Sequence, residues 1–192
     1  MIDALFSVDL TPGKKANDDI TFMSSALEYA GINIFKDISL KFNVFDSDTW
    51  EDFFITEQIA FTANNNVNHA QTYDDSGFEV LNSDGFKVVV KHLDLEDSFW
   101  GADLHLYIEN NYSKDVTFQV RNVSVNGFMV TPMFSCDILN GMKAFDSISF
   151  FDSDLEANSI TDIKNIELSF HIFDKDNWDT ILDTEQIIIS FE

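Results

Sequence analysis

Shifting the sequence by 128 positions lays residues 1–64 onto residues 129–192 without a gap, and roughly 26 of the 64 pairs are identical. That is far above chance, so the chain carries an internal duplication. Leu5-Phe6-Ser7-Val8-Asp9 meets Met133-Phe134-Ser135-Cys136-Asp137, and Ile20-Thr21-Phe22 meets Ile148-Ser149-Phe150. Phe45-Asp46-Ser47-Asp48-Thr49-Trp50 meets Phe173-Asp174-Lys175-Asp176-Asn177-Trp178, and Thr56-Glu57-Gln58-Ile59 meets Thr184-Glu185-Gln186-Ile187. A period of this length implies a unit of the same length. Residues 65–192 hold a whole unit, and residues 1–64 hold only the second half of one.

The missing gap has structural content, because a strand slipped by one residue turns its apolar face to water. Here the faces stay in phase. Ile38, Leu40, Phe42 and Val44 alternate with Ser39, Lys41 and Asn43, and Ile166, Leu168, Phe170 and Ile172 alternate with Glu167, Ser169 and His171. This period-2 pattern predicts half-buried strands in the same role in both copies.

The Asn-rich, aperiodic stretch 63–71 reads as a linker or loop, placing a half repeat at 1–64, a linker at 65–76 and a complete unit at 77–192. Strands are predicted near 78–81, 86–93, 103–110, 115–125, 128–137, 144–151, 164–173 and 185–191. The apolar phase switches between Val120 and Val123, which predicts a bulge near Asn122. Asn110–Asp115 has turn chemistry and predicts a hairpin. Asn126-Gly127 is a strong two-residue turn signal. One short helix is predicted at 153–158, capped by Ser153 or Asp152, with a counterpart at 25–29. Short strands with turns at this spacing imply an all-β, antiparallel β-sandwich: one complete unit plus a C-terminal half unit of the same repeat.

The chain has 34 acidic against 11 basic side chains, a net charge of −23. Such a surface repels nucleic-acid phosphates and anionic membranes. Its 20 Phe residues suit pleated sheets, and the charge would keep so apolar a chain in solution. One cysteine rules out an intrachain disulfide. Nothing approaches a membrane span of ~18 apolar residues, and the first residues lack the basic head and apolar core of a signal peptide.

Asp97-Ser98-Phe99-Trp100-Gly101, Leu106-Tyr107-Ile108-Glu109-Asn110-Asn111, Val123-Ser124-Val125-Asn126-Gly127, Met133-Phe134-Ser135-Cys136-Asp137 and Phe170-His171-Ile172-Phe173-Asp174 together form a pattern. With these motifs, residues 86–191 resemble immunoglobulin-like sandwich domains of secreted proteins and lipoproteins of gut Firmicutes. The resemblance implies a bacterial extracellular or cell-surface accessory module, with no catalytic residues and no cofactor to carry over. With no export signal in the chain, a cytoplasmic home stays open.

The repeated Phe-Asp-x-Asp-x-Trp motif is the main local candidate. Asp46, Asp48 and Glu57, and again Asp174, Asp176 and Glu185, fall at positions 1, 3 and 12 of a calcium-loop template. Position 5 is Trp, however, and position 6 is Glu51 or Asp179, where that loop needs Gly. The plainer expectation is a hairpin whose Asp makes Asx-turn hydrogen bonds while the Trp folds back to plug the core. Exposed indoles would instead suit sugar stacking; Trp50, Trp100 and Trp178 are expected in the core because apolar residues flank them. Cys136 aligns with Val8 and is expected to be a small buried hydrophobe. His69, His92, His105 and His171 show no ligand spacing, and His171 is expected on a solvated face. No catalytic or metal-binding residue is assigned. The expected role is a non-catalytic interaction or spacer module, or alternatively a ligand-binding sandwich for glycan or Ca²⁺. The half repeat should leave Phe42, Val44 and Ile59 uncovered, inviting docking on the other residues or self-association.

Overall fold

The computed structural model describes residues 4–63, 69–95, 98 and 101–191. Strands take 49% of the described residues and helix 7%, and every strand pair among them is antiparallel. The chain divides into two compact units, Ile2–Tyr73 and Asp74–Glu192.

The first unit contains β1 (Ala4–Leu5), β2 (Thr21–Phe22), α1 (Ser24–Tyr29), β3 (Asp37–Leu40), β4 (Asn43–Phe45), β5 (Asp52–Ile55) and β6 (Ile59–Thr62). These form three separate two-stranded pairs, β1–β2, β3–β6 and β4–β5.

The second unit contains β7 (Phe78–Ser83), β8 (Phe86–Asp94), β9 (Gly101–Asn110), β10 (Val116–Val125), β11 (Phe128–Met129), β12 (Ser135–Ile138) and β13 (Lys143–Phe151). It continues with α2 (Asp152–Ala157), β14 (Asn165–Asp174), β15 (Thr180–Asp183) and β16 (Ile187–Ser190). One sheet runs β13-β9-β8-β7. The other centres on β10–β14, with β11 and β12 on the free edge of β10 and β15 and β16 on that of β14.

One buried cluster draws on both sheets. It takes Val88, Leu104, Leu106, Ile108 and Ile148 from the first, and Val116, Phe118, Ile138, Leu168, Phe170 and Ile172 from the second. Phe86 meets Phe118 edge-on across the layers at 5.6 Å. Each such side chain fully buried contributes about 1.5–3 kcal/mol relative to exposure. Cys136 lies in this cluster as a buried strand residue opposite Phe118.

Several local expectations hold. The β10–β14 register shifts between Arg121 and Ser124, and Asn122 takes a left-handed φ of 53°. Asn126 and Gly127, both at positive φ, close the two-residue turn between β10 and β11. That conformation needs Asn-Gly chemistry.

Others need correction. Asn110–Asp115 is not a hairpin, because β9 and β10 lie in different sheets. The segment crosses between layers, and buried Asn110 ties them together. Its amide donates to the carbonyl of Lys114 (2.8 Å) and to that of Ile138 on the far sheet (2.9 Å). Turn residues read the same in sequence whether the strands they join are paired or not. The predicted strand at 128–137 is two short ones, and β15 at 180–183 was missed. The helix starts at Asp152, so Phe151 holds the cap position and makes no side-chain cap bond; α1 is likewise preceded by Met23. On β9, burial is not confined to Leu104, Leu106 and Ile108 of the core-facing side. His105 and Tyr107 are buried, and Tyr107 packs on Phe145 with centroids 5.1 Å apart.

Candidate functional site

The Asp-x-Asp-x-Trp motif forms the same hairpin tip in both units, between β4 and β5 and between β14 and β15. In each, the first Asp organises the loop. Asp46 Oδ1 accepts the amides of Asp48 and Thr49 at 2.9 Å, and Asp174 Oδ1 accepts that of Asp176 at 2.9 Å. The Trp50 N–H donates to the Asp46 carbonyl (2.8 Å), and the Trp178 N–H to the Asp174 carbonyl (2.9 Å). The return bonds run from the Asp46 amide to Glu51 O and from the Asp174 amide to Asp179 O, both 2.9 Å. The Asx-turn expectation therefore holds.

The indoles do not plug the core. Trp50 is 75% exposed and Trp178 73% exposed. Each stands at a left-handed φ, 62° and 64°. That conformation costs a bulky residue about 1–2 kcal/mol and would ordinarily favour Gly or Asn. Each ring lies flat on the phenyl that opens the motif: Trp50 on Phe45 at 5.3 Å, Trp178 on Phe173 at 5.2 Å, both tilted by 15°. The immediate neighbours are in fact polar, Thr49 and Glu51 or Asn177 and Asp179, and the apolar platform under each indole is the phenyl five residues back. Trp100 lies outside the described residues, as do residues 64–68 of the expected linker.

The two tips differ in their surroundings. The Lys114 ammonium pairs with Asp174 Oδ2, and this ion pair first, then the loop amides, holds the Asp174 carboxyl below its usual range. Asp46 is also held low, by the loop amides of Thr49 and Asp48 first and by the Thr49 hydroxyl, with no ammonium partner among the causes. The inner carboxylate of each loop is thus engaged by the protein. Among the described residues, Asp46, Asp48 and Glu57 do not converge to metal-binding distance, nor do Asp174, Asp176 and Glu185.

His171 is buried rather than solvated, and its Nδ1 lies 2.6 Å from Asp183 Oδ1. It faces β15, the strand that sequence reasoning missed. His92 and His105 are far apart in sequence yet directly opposite in the β8–β9 register. A concavity lined by Gly101, Asp152, Leu155, Glu156 and Asp162 has exposed carboxylates and no buried acid pair.

Comparison with protein-family models, with curated proteins and with solved structures finds no match. No helix among the described residues is long and apolar enough to cross a membrane.

Proposed function

We propose that the chain is a non-catalytic interaction module built on an immunoglobulin-like sandwich, and that the Trp-bearing hairpin tips are its contact points. Strand order supports the architecture. Taken in chain order from β8, the neighbours β8-β9-β13 and β12-β10-β14-β16 correspond to A-B-E and C′-C-F-G of an immunoglobulin-type Greek key. β7 is then an extra strand beside A.

One observation carries the functional reading. Both copies hold an exposed indole flat on a phenyl at a backbone conformation that disfavours it. Sparsely populated backbone conformations kept at a surface point to a task. A rigid aromatic face beside solvent-facing carboxylates, Asp48 and Asp176, suits a sugar ring. The C–H face of the sugar would stack on the indole while its hydroxyls donate to the carboxylates. The calcium alternative has weaker support, since the loop amides and Lys114 already occupy the inner carboxylates. A surface-exposed or secreted bacterial setting, with a glycan or protein partner, fits this reading, as does self-association through the half repeat.

Oligosaccharide arrays probed with the full chain and with Trp50→Ala, Trp178→Ala and the double variant test the assignment. The expected result is binding that weakens at least tenfold in Trp178→Ala and vanishes in the double variant. Binding that survives the double variant would overturn it.

A further inference from the structure

We infer that His92, Asp94 and His105 form a binding site for a divalent transition-metal ion of the zinc class on the outer face of the β7–β8–β9–β13 sheet. The β8–β9 register shifts between Val90 and His92. A bulge of this kind re-aims side chains. Beyond it, His92 stands directly opposite His105, and Asp94 directly opposite Asp103. Opposed residues share a face, so two imidazoles and two carboxylates crowd one patch. The imidazole centroids lie 4.5 Å apart. One ligand atom from each of His92, Asp94 and His105 lies within 4.8 Å of the others. Among the described residues, this is the one group of three metal-binding side chains drawn so close.

The supporting contacts are those of a held site. His105 is 6% exposed, and its Nδ1 lies 2.7 Å from Ser147 Oγ on β13. Such an outer hydroxyl sets ring orientation and tautomer. The neighbouring Ser149 Oγ donates to Asp103 Oδ1 at 2.6 Å. Asp94 facing Asp103 is a like-charge cross-strand pair, which destabilises a bare sheet; a dication beside it offsets the repulsion. Two imidazoles with one carboxylate match zinc and its first-row neighbours rather than Ca²⁺ or Mg²⁺, which take oxygen ligands. Tetrahedral coordination with bonds of ~2.0–2.1 Å needs donors about 3.3 Å apart, so small rotations of the exposed His92 and half-buried Asp94 would close the set. Three protein ligands leave the fourth position to water. The bound ion would clip β8 to β9 next to the bulge.

Calorimetric titration of chelator-treated full chain with Zn²⁺ tests this, with Co²⁺ absorption reporting the coordination. The expected result is one ion per chain and a four-coordinate Co²⁺ spectrum. Affinity should fall at least tenfold in His92→Gln and in Asp94→Asn, with metal-free melting lowered in neither and raised in Asp94→Asn, which relieves the repulsion from Asp103. Asp48→Asn and Asp176→Asn should leave affinity as it was. No saturable binding at millimolar Zn²⁺ would overturn the inference, and so would equal affinity in wild type and Asp94→Asn. If His92→Gln fails to fold, Asp94→Asn and the Co²⁺ spectrum still decide.

Discussion

The two copies of the repeat have the same strands and different fates. β3–β6 pairs Asp37↔Thr62 through Leu40↔Ile59, and β14–β16 pairs Asn165↔Ser190 through Leu168↔Ile187, the same register displaced by 128. β4–β5 and β14–β15 correspond equally well, shift included. Thr56 and Thr184 make the same double contact, each donating its N–H to the Phe42 or Phe170 carbonyl and accepting that residue's amide on Oγ1. What differs is everything that depends on residues 78–125. β12 pairs only with β10, and its counterpart, residues 7–10, is not a strand. β13 pairs with β9 over nine residues, and its counterpart keeps only Thr21–Phe22. β14 runs unbroken where β3 and β4 are separate. Burial follows. Ile138 and Ile189 are 0% and 3% exposed, while Leu10 and Phe61 are 59% and 47% exposed. Local pairing is thus written in each half repeat, whereas burial and the long strands come from the strands of the other half.

Substitutions at matched positions sharpen this contrast. The largest effect is expected at Phe170→Ala, which should cost the second unit about 3–5 kcal/mol as a core deletion. Phe42→Ala should cost well under half of that, as read by urea unfolding. Equal losses would break the comparison. Thr184→Val should cost about 1–3 kcal/mol, because it strands the buried Phe170 amide. Thr56→Val should cost less, since water reaches the partly exposed Phe42 amide.

Acid should also separate the units. Burial first, then the neighbouring His92, holds the His105 imidazole below its usual 6.5, against the opposing pull of Asp103 and Asp94. The unfolded chain therefore binds a proton that the folded one refuses. Stability is present above about pH 6.5 and declines as pH falls from there through the lower folded pKa. Melting of the second unit should drop across that window, and His105→Gln should flatten the drop. The first unit has no residue matched to His105 by the repeat. The smallest effect on stability is expected from Val44→Lys with Phe61→Lys, within about 0.5 kcal/mol as for exposed sites. Sedimentation at rising concentration should nonetheless show self-association lost in that double variant. Wild type that stays monomeric throughout would remove the half repeat as an interface.

Much of this architecture was legible from residues. The duplication gave the unit length, the strand phase and the Asx loops, and the phase switch after Val120 gave the bulge at Asn122. Features set by long-range pairing were not legible. Asn110–Asp115 has the chemistry of a hairpin turn but crosses between sheets, because only the strands' partners distinguish the two. Trp178 lies between Asn177 and Asp179, and nothing local says that its ring will rest on Phe173, five residues back. His92 and His105 meet only because the bulge before His92 shifts the β8–β9 register. His171 is covered by β15, which has too few alternating residues to announce itself.

Amide hydrogen exchange on the full chain at low concentration tests the central claim most directly, because the duplication supplies its own control. Leu168, Phe170 and Ile172 should exchange orders of magnitude more slowly than Leu40, Phe42 and Val44. Equal protection of the two sets, in a monomer, would contradict the claim that residues 1–64 lack the strands that bury their counterparts.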